Sequence, residues 1–170
     1  MAWTQTAGPT EYEIKAACLY NFAKLIDWPE DAFGSDDEPF CIGILGRDPF
    51  GQALERAVKD KTMKGRQIAL RRSSGHLSCQ LLFVCATESD NIERVLESTR
   101  GLPIVTVSEL EGFADQGGTI EFYIEDNSVR FAINIDVAND ARLEIDPQLL
   151  GLARVVTVDS TDQSETSPTE

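Results

Sequence analysis

The sequence predicts an α/β fold of three layers, with a mixed, partly parallel central sheet that ends in an antiparallel hairpin. Short apolar runs at 40–45, 81–85 and 103–107 have the length and unbroken hydrophobicity of strands buried on both faces. Runs with helical spacing lie between them. The order strand, helix, strand, strand, helix, strand is that of a layered α/β domain with right-handed parallel crossovers. Residues 119–124 and 129–133 then alternate in polarity: Ile120, Phe122 and Ile124 share one face, and so do Val129, Phe131 and Ile133. Glu125-Asp126-Asn127-Ser128 between them has the composition of a hairpin turn. Just ahead, Gly117-Gly118 lets the backbone take positive φ or approach a neighbour closely.

Taken in order, residues 1–10 are polar, contain Gly8-Pro9 and read as a flexible leader. A helix is expected over 12–26, where Ile14, Ala17, Cys18, Phe22, Leu25 and Ile26 recur at three- and four-residue steps. Thr10 with Glu13 fits a capping box at its start. Pro29 stops it by restricting Trp28, and an acidic loop at 30–38 follows. The first buried strand lies between Pro39 and Gly46. Asp48-Pro49 predicts an N-cap and a first helical residue for a helix to about Lys59. Residues 67–71, behind Gly65-Arg66, read as a polar edge strand. After the second buried strand, Ser89 or Asp90 is expected to cap a helix through Ile92, Val95 and Leu96 that ends near Gly101. Ser108 begins a short helical turn behind the third strand.

Beyond the hairpin, 135–140 predicts a turn or two of helix and 143–145 a short strand. Asp146-Pro147 repeats the cap-and-proline device for a last helix carrying Leu149, Leu150, Leu152, Ala153 and Val156. One domain thus covers 11–158. Residues 159–170 form an acidic tail of mostly Ser, Thr, Asp, Glu and Pro that buries too little to order itself.

Composition narrows the partners. An apolar content of 42% in 170 residues supports a single packed core. Acidic residues outnumber basic ones 29 to 15, a net charge of −14, which argues against nucleic acid and anionic membranes. No run of about 18 apolar residues is present to span a membrane. Met1-Ala2-Trp3-Thr4 lacks the basic start and apolar stretch of a secretory signal. Read literally, that places the chain in the cytoplasm; a start codon added to an already processed form looks the same.

Catalytic and metal signals are weak, and neither an enzyme nor a cofactor is expected. Gly-Arg-Asp-Pro-Phe-Gly at 46–51 follows a strand as a phosphate loop would. It lacks a Gly-Lys-Ser/Thr ending, though, and Pro49 removes an amide, so a structural turn is favoured. His76 is the single histidine and has no triad or zinc partners at usable spacing. Cys18 and Cys85 fit small buried hydrophobes. Cys41 begins one buried strand and Cys79 directly precedes another. Neighbouring parallel strands start at one edge, so these two thiols can come within bridging distance. Trp28, with the acidic loop behind it, fits either a partner surface or core packing. Arg130 lies opposite the apolar face of its strand, as an exposed contact or an ion pair, and Asn134 closes the same strand.

A family resemblance adds to this. Lys15-Ala16-Ala17, the run from Leu19 to Lys24, Trp28-Pro29, Ile44-Leu45-Gly46 and Pro49-Phe50-Gly51 resemble the opening of the YfiR family. The match is strongest in the last third: Val105-Thr106-Val107, Phe113-Ala114, Gly117-Gly118, Val129-Arg130-Phe131, Ile133-Asn134, Leu149-Leu150 and Leu152-Ala153. The resemblance covers about 11–155 and implies a periplasmic protein whose signal has been removed. It implies inhibition of an inner-membrane diguanylate cyclase through the cyclase's periplasmic domain, which lowers cyclic di-GMP and restrains biofilm formation. An outer-membrane lipoprotein would sequester the inhibitor, and homodimerisation stays open. A Cys41–Cys79 disulfide is implied in the same way, because both fall at family cysteine positions. A second family bridge lies where this chain has Asp115 and Phe122, so two-bridge redox control is not expected. Trp28, Arg130 and Asn134 are the expected partner-binding residues. The alternative is a small-ligand input domain acting on a membrane sensor kinase.

Overall fold

The first helix, α1 (Glu11–Leu25), starts as its sequence predicts. In the computed structural model, which describes residues 10–73 and 79–157, the Glu13 amide donates to Thr10 Oγ1 at 3.2 Å. The Thr10 amide returns the bond to the Glu13 carboxylate at 3.0 Å. The buried face differs from the expected one. Ala16, Leu19, Phe22 and Ala23 are buried, while Ile14 and Ala17 point to solvent. Two apolar stripes overlap on this helix, and the one with Ala16 and Ala23 lets the backbone approach the sheet. There Phe22 packs on Phe122 and Phe131, with ring centroids 5.7 and 4.9 Å away.

Ile26 and Asp27 continue as a short strand, β1 (Ile26–Asp27), paired antiparallel with β9 (Glu144–Ile145) in a separate two-stranded sheet. The main sheet holds β2 (Phe40–Leu45), β3 (Thr62–Met63), β4 (Arg66–Ser73), β5 (Leu81–Val84), β6 (Val105–Ser108), β7 (Ile120–Glu125), β8 (Ser128–Asn134) and β10 (Arg154–Val156). Their spatial order is β10-β8-β7-β6-β5-β2-β4-β3. From β4 to β7 neighbours run parallel, and β7–β8 is the antiparallel hairpin. Its register sets Ile120 opposite Ile133, Phe122 opposite Phe131 and Ile124 opposite Val129. Asp126 and Asn127 both have positive φ, +53° and +62°, which makes a two-residue type I′ turn matched to strand twist.

Three layers result. Helix α1, α2 (Ala53–Val58) and α5 (Pro147–Leu152) cover one face through Phe22, Leu54 and Leu149, against Ile42, Ile44, Phe83, Val107 and Ile133. Helix α3 (Ile92–Thr99) and Phe113 cover the other, against Leu45, Leu82, Val84 and Ile104. Consecutive residues of β5 therefore face opposite cores, which is why its run is apolar throughout. A short helix, α4 (Ile135–Asp140), follows the hairpin directly.

Three local expectations change. Asp48-Pro49 does not open a helix: the Phe50 amide donates to Asp48 Oδ1 at 2.7 Å, closing an Asx turn. Gly51 then takes φ +58°, and α2 begins only at Ala53. Ser89 and Asp90 do not cap α3, because a 3-10 turn over Ala86–Asn91 leads into it. The polar strand β4 is an edge along most of its length, as expected, since β3 pairs only with Arg66 and Gln67 on its outer side. The last helix ends at Leu152. Residues 154–156 instead pair with 132–134, because the ladder along β8 supplies partners that one more helical turn would not. The hairpin thus carries one further, parallel strand at its outer edge. His76, the leader at 1–9 and the tail from 158 lie outside the described residues.

Candidate partner-docking site

The amino ends of the parallel strands carry a tightly bonded polar cluster. Cys41 at the start of β2 and Cys79 ahead of β5 form a disulfide, with their Cα atoms 4.9 Å apart. Gln80 next to it is only 6% exposed and ties four pieces of chain together. Its Oε1 accepts from the Cys41 amide at 2.8 Å, and its Nε2 donates to the Ala32 carbonyl at 2.8 Å. Its carbonyl accepts from the Val105 amide at 2.9 Å and from Trp28 Nε1 at 3.0 Å. Trp28 is half-buried and packs edge-on against Phe40 at 4.9 Å.

The acidic loop beyond Trp28 is braced from below. Arg66 stacks on Phe33 with its guanidinium carbon 3.7 Å from the ring centroid. Its Nη1 donates to the carbonyls of Ser35, Asp36 and Glu38 at 2.7–3.2 Å. This cation serves backbone oxygens and leaves the loop's carboxylates un-neutralised. Asp31 pairs with Arg142 at 3.0 Å. Glu30, Asp36 and Asp37 are exposed and have no ion pair among the described residues. The outcome is a held, negatively charged surface around a half-exposed indole.

Gln80 and Arg66 were not singled out by sequence reasoning. A polar residue wedged between a bridging cysteine and an apolar strand is the signal that marks Gln80. Replacing it, as Gln80→Leu, strands the Cys41 amide and the Ala32 carbonyl. It should lower unfolding free energy by about 2–3 kcal/mol in urea titrations, whereas an unchanged midpoint would show that the loop is held by other contacts.

Trp28, Arg130 and Asn134 do not converge. Trp28 lies at the amino ends of β5 and β6. Arg130 pairs across the hairpin with Tyr123, beyond the carboxyl end of β6, which stops level with Glu121. Its only ion pair among the described residues, with Glu125 at 3.7 Å, is exposed on both sides and contributes little. Asn134 is 1% exposed. Its Oδ1 accepts from the amides of Asp136 and Val137, and its Nδ2 donates to the Ala114 carbonyl. It is the N-cap of α4, placed within the fold rather than on its surface.

The candidate phosphate loop is already occupied by the chain's own groups, and the two free cysteines are partly or fully buried. Asp48 pairs with Arg72, which also reaches Glu55, and it holds the Phe50 amide that an anion would need. Cys85 is buried, and burial pushes its thiol up to about 12; burial raises Cys18 as well. Neither is a thiolate near neutral pH. Lys15 on α1, only 2% exposed, is a buried charge that the sequence pattern did not reveal. It pairs with Glu11 and Glu109, and the Tyr12 hydroxyl also donates to Glu109, at 2.9 Å. Asp115 is exposed and Phe122 sits in the core, where the second family bridge is not built.

Among the described residues no helix is long and apolar enough to cross a membrane. No curated protein matches the chain. The family model described as YfiR/HmsC-like matches residues 12–154, which runs from α1 to the first residue of β10 and includes both bridged cysteines, the hairpin and the braced loop. The chain belongs to the YfiR/HmsC-like family, whose members are periplasmic and regulatory rather than catalytic.

Proposed function

We propose that the chain inhibits a membrane-bound diguanylate cyclase by docking on the cyclase's periplasmic domain, and so lowers cyclic di-GMP. The family match over 12–154 carries this reading. The surface around Trp28, with exposed Glu30, Asp36 and Asp37, supports it as the docking face, because it is held in place before any partner arrives. Tryptophan at such a centre supplies affinity, and the carboxylates supply orientation and on-rate. Arg130 serves as a separate contact at the hairpin. Asn134 contributes from within, by fixing α4 to the turn at Ala114. An outer-membrane lipoprotein that covers the same face would release the cyclase, and a homodimer would have to leave it open.

Deleting the gene should raise cyclic di-GMP and surface attachment; no change in either, with the cyclase expressed, refutes the inhibitory role. In vitro, the double variant Asp36→Lys with Asp37→Lys should slow association with the purified periplasmic domain about tenfold at low salt. Dissociation should stay close to wild type. Equal association rates at low salt would place docking elsewhere.

A further inference from the structure

We propose that the cavity between α3, the turn after Phe113 and α4 binds a small carboxylic acid with a short apolar body. Its volume is about 410 Å³, within the range of small-molecule sites. Leu96, Ile104 and Val137 supply apolar walls, and Thr106, Thr119 and Asn134, all buried, line the same space.

The hydrogen count of those three residues selects the ligand. The Thr106 amide donates to Thr119 Oγ1 at 3.3 Å, and the Thr119 amide donates to Thr106 Oγ1 at 2.9 Å. The two hydroxyl oxygens stand 3.2 Å apart and share one hydrogen bond. Two hydroxyls bring two hydrogens, so one is left without an acceptor among the described residues. Asn134 adds another. Its Oδ1 already accepts two amides and one Nδ2 hydrogen goes to Ala114, which leaves the second Nδ2 hydrogen free. A buried donor without an acceptor costs about 1–3 kcal/mol, which a ligand oxygen would relieve.

Arg100 completes the set. It lies at the rim, exposed, and makes no ion pair among the described residues. Two buried donors and a free guanidinium select an anionic oxygen pair over an ammonium or a hydrocarbon end. Asp115 and Asp140 share the rim, exposed and screened as Arg100 is, and they lower the affinity; the guanidinium prevails because it can donate two hydrogen bonds directly to the carboxylate. This site goes beyond the cyclase reading, and a chain that regulates a different partner would still have it.

The test is titration of the ¹⁵N-labelled chain with butanoate, hexanoate and benzoate, and with hexanamide as the uncharged match. Saturable shifts are expected at the amides of Thr106, Thr119, Asn134 and Val137. Hexanoate should bind at least about tenfold more tightly than hexanamide. Arg100→Gln should remove that preference while leaving the fold intact, since the side chain is exposed. Val137→Phe should fill the cavity and abolish both; if that variant fails to fold, Arg100→Gln decides. The absence of saturable shifts at these amides at millimolar acid, equal binding of acid and amide, or an Arg100→Gln variant that binds hexanoate as wild type does would each overturn the proposal.

Discussion

Replacing Cys41 and Cys79 together by alanine is expected to cost about 3–4 kcal/mol of folding stability. The bridge joins residues 38 apart in sequence. Closing a loop of that length removes chain entropy from the unfolded state, and the chain-entropy model puts the effect just under about 4 kcal/mol. For a domain of this size the loss corresponds to a fall in Tm of about 10 °C. The variant should also show no response to reductant, whereas the wild type treated with reductant should fall to the same midpoint. Cys18 and Cys85 remain free in both proteins and do not enter the comparison. Urea titrations with and without reductant measure all of this, and a wild-type midpoint unmoved by complete reduction of the bridge would rule it out. The functional consequence is local. Gln80 is adjacent to Cys79 and bonded to the Cys41 amide, so loss of the bridge should loosen the acidic loop before it unfolds the domain.

How much of this was legible in the sequence depends on the physical range of each determinant. The hairpin was read correctly because its signal is local: alternation fixes the faces, and Asp126-Asn127 tolerates the left-handed backbone that the turn needs. The capping box of α1 was legible for the same reason. Asp48-Pro49 and Asp146-Pro147 look alike in sequence, yet only the second caps a helix. Gly51 and the Arg72 partner of Asp48 decide the difference, and the arginine is 24 residues away. Likewise, Arg154-Val155-Val156 becomes a strand because β8 offers an open edge, a fact no local pattern contains. At the docking face, Trp28 and the acidic run were visible as residue types. What holds them, Gln80 and Arg66, acts across 28 to 52 positions and was not. The pairing of Cys41 with Cys79 came from family resemblance, with strand-edge geometry merely allowing it.

Gly118→Ala should be among the most damaging single-atom-group changes available, at about 3 kcal/mol. The Gly117-Gly118 pair was expected to serve either positive φ or close approach, and the two residues divide those tasks. Gly117 takes φ +119°, with open space where a Cβ would go. A Cβ on Gly118 would lie 2.1 to 2.6 Å from three carbons of the Phe113 ring. Phe113 is 0% exposed and is the largest side chain of the second core, against Leu82, Val84 and Ile104, so its ring has little room to retreat. The backbone is held as well, since the Gly118 amide donates to the Phe113 carbonyl at 2.9 Å. Overlap of that size has to displace either the ring or the turn that leads into β7. Relief should therefore come from the partner: Phe113→Leu in the Gly118→Ala background should recover part of the loss, although Phe113→Leu alone destabilises the wild type. A double-mutant cycle in urea reads this as a coupling of more than about 1 kcal/mol. Additive losses, or a Gly118→Ala variant as stable as wild type, would show that the turn moves freely and that Phe113 does not set the space at Gly118.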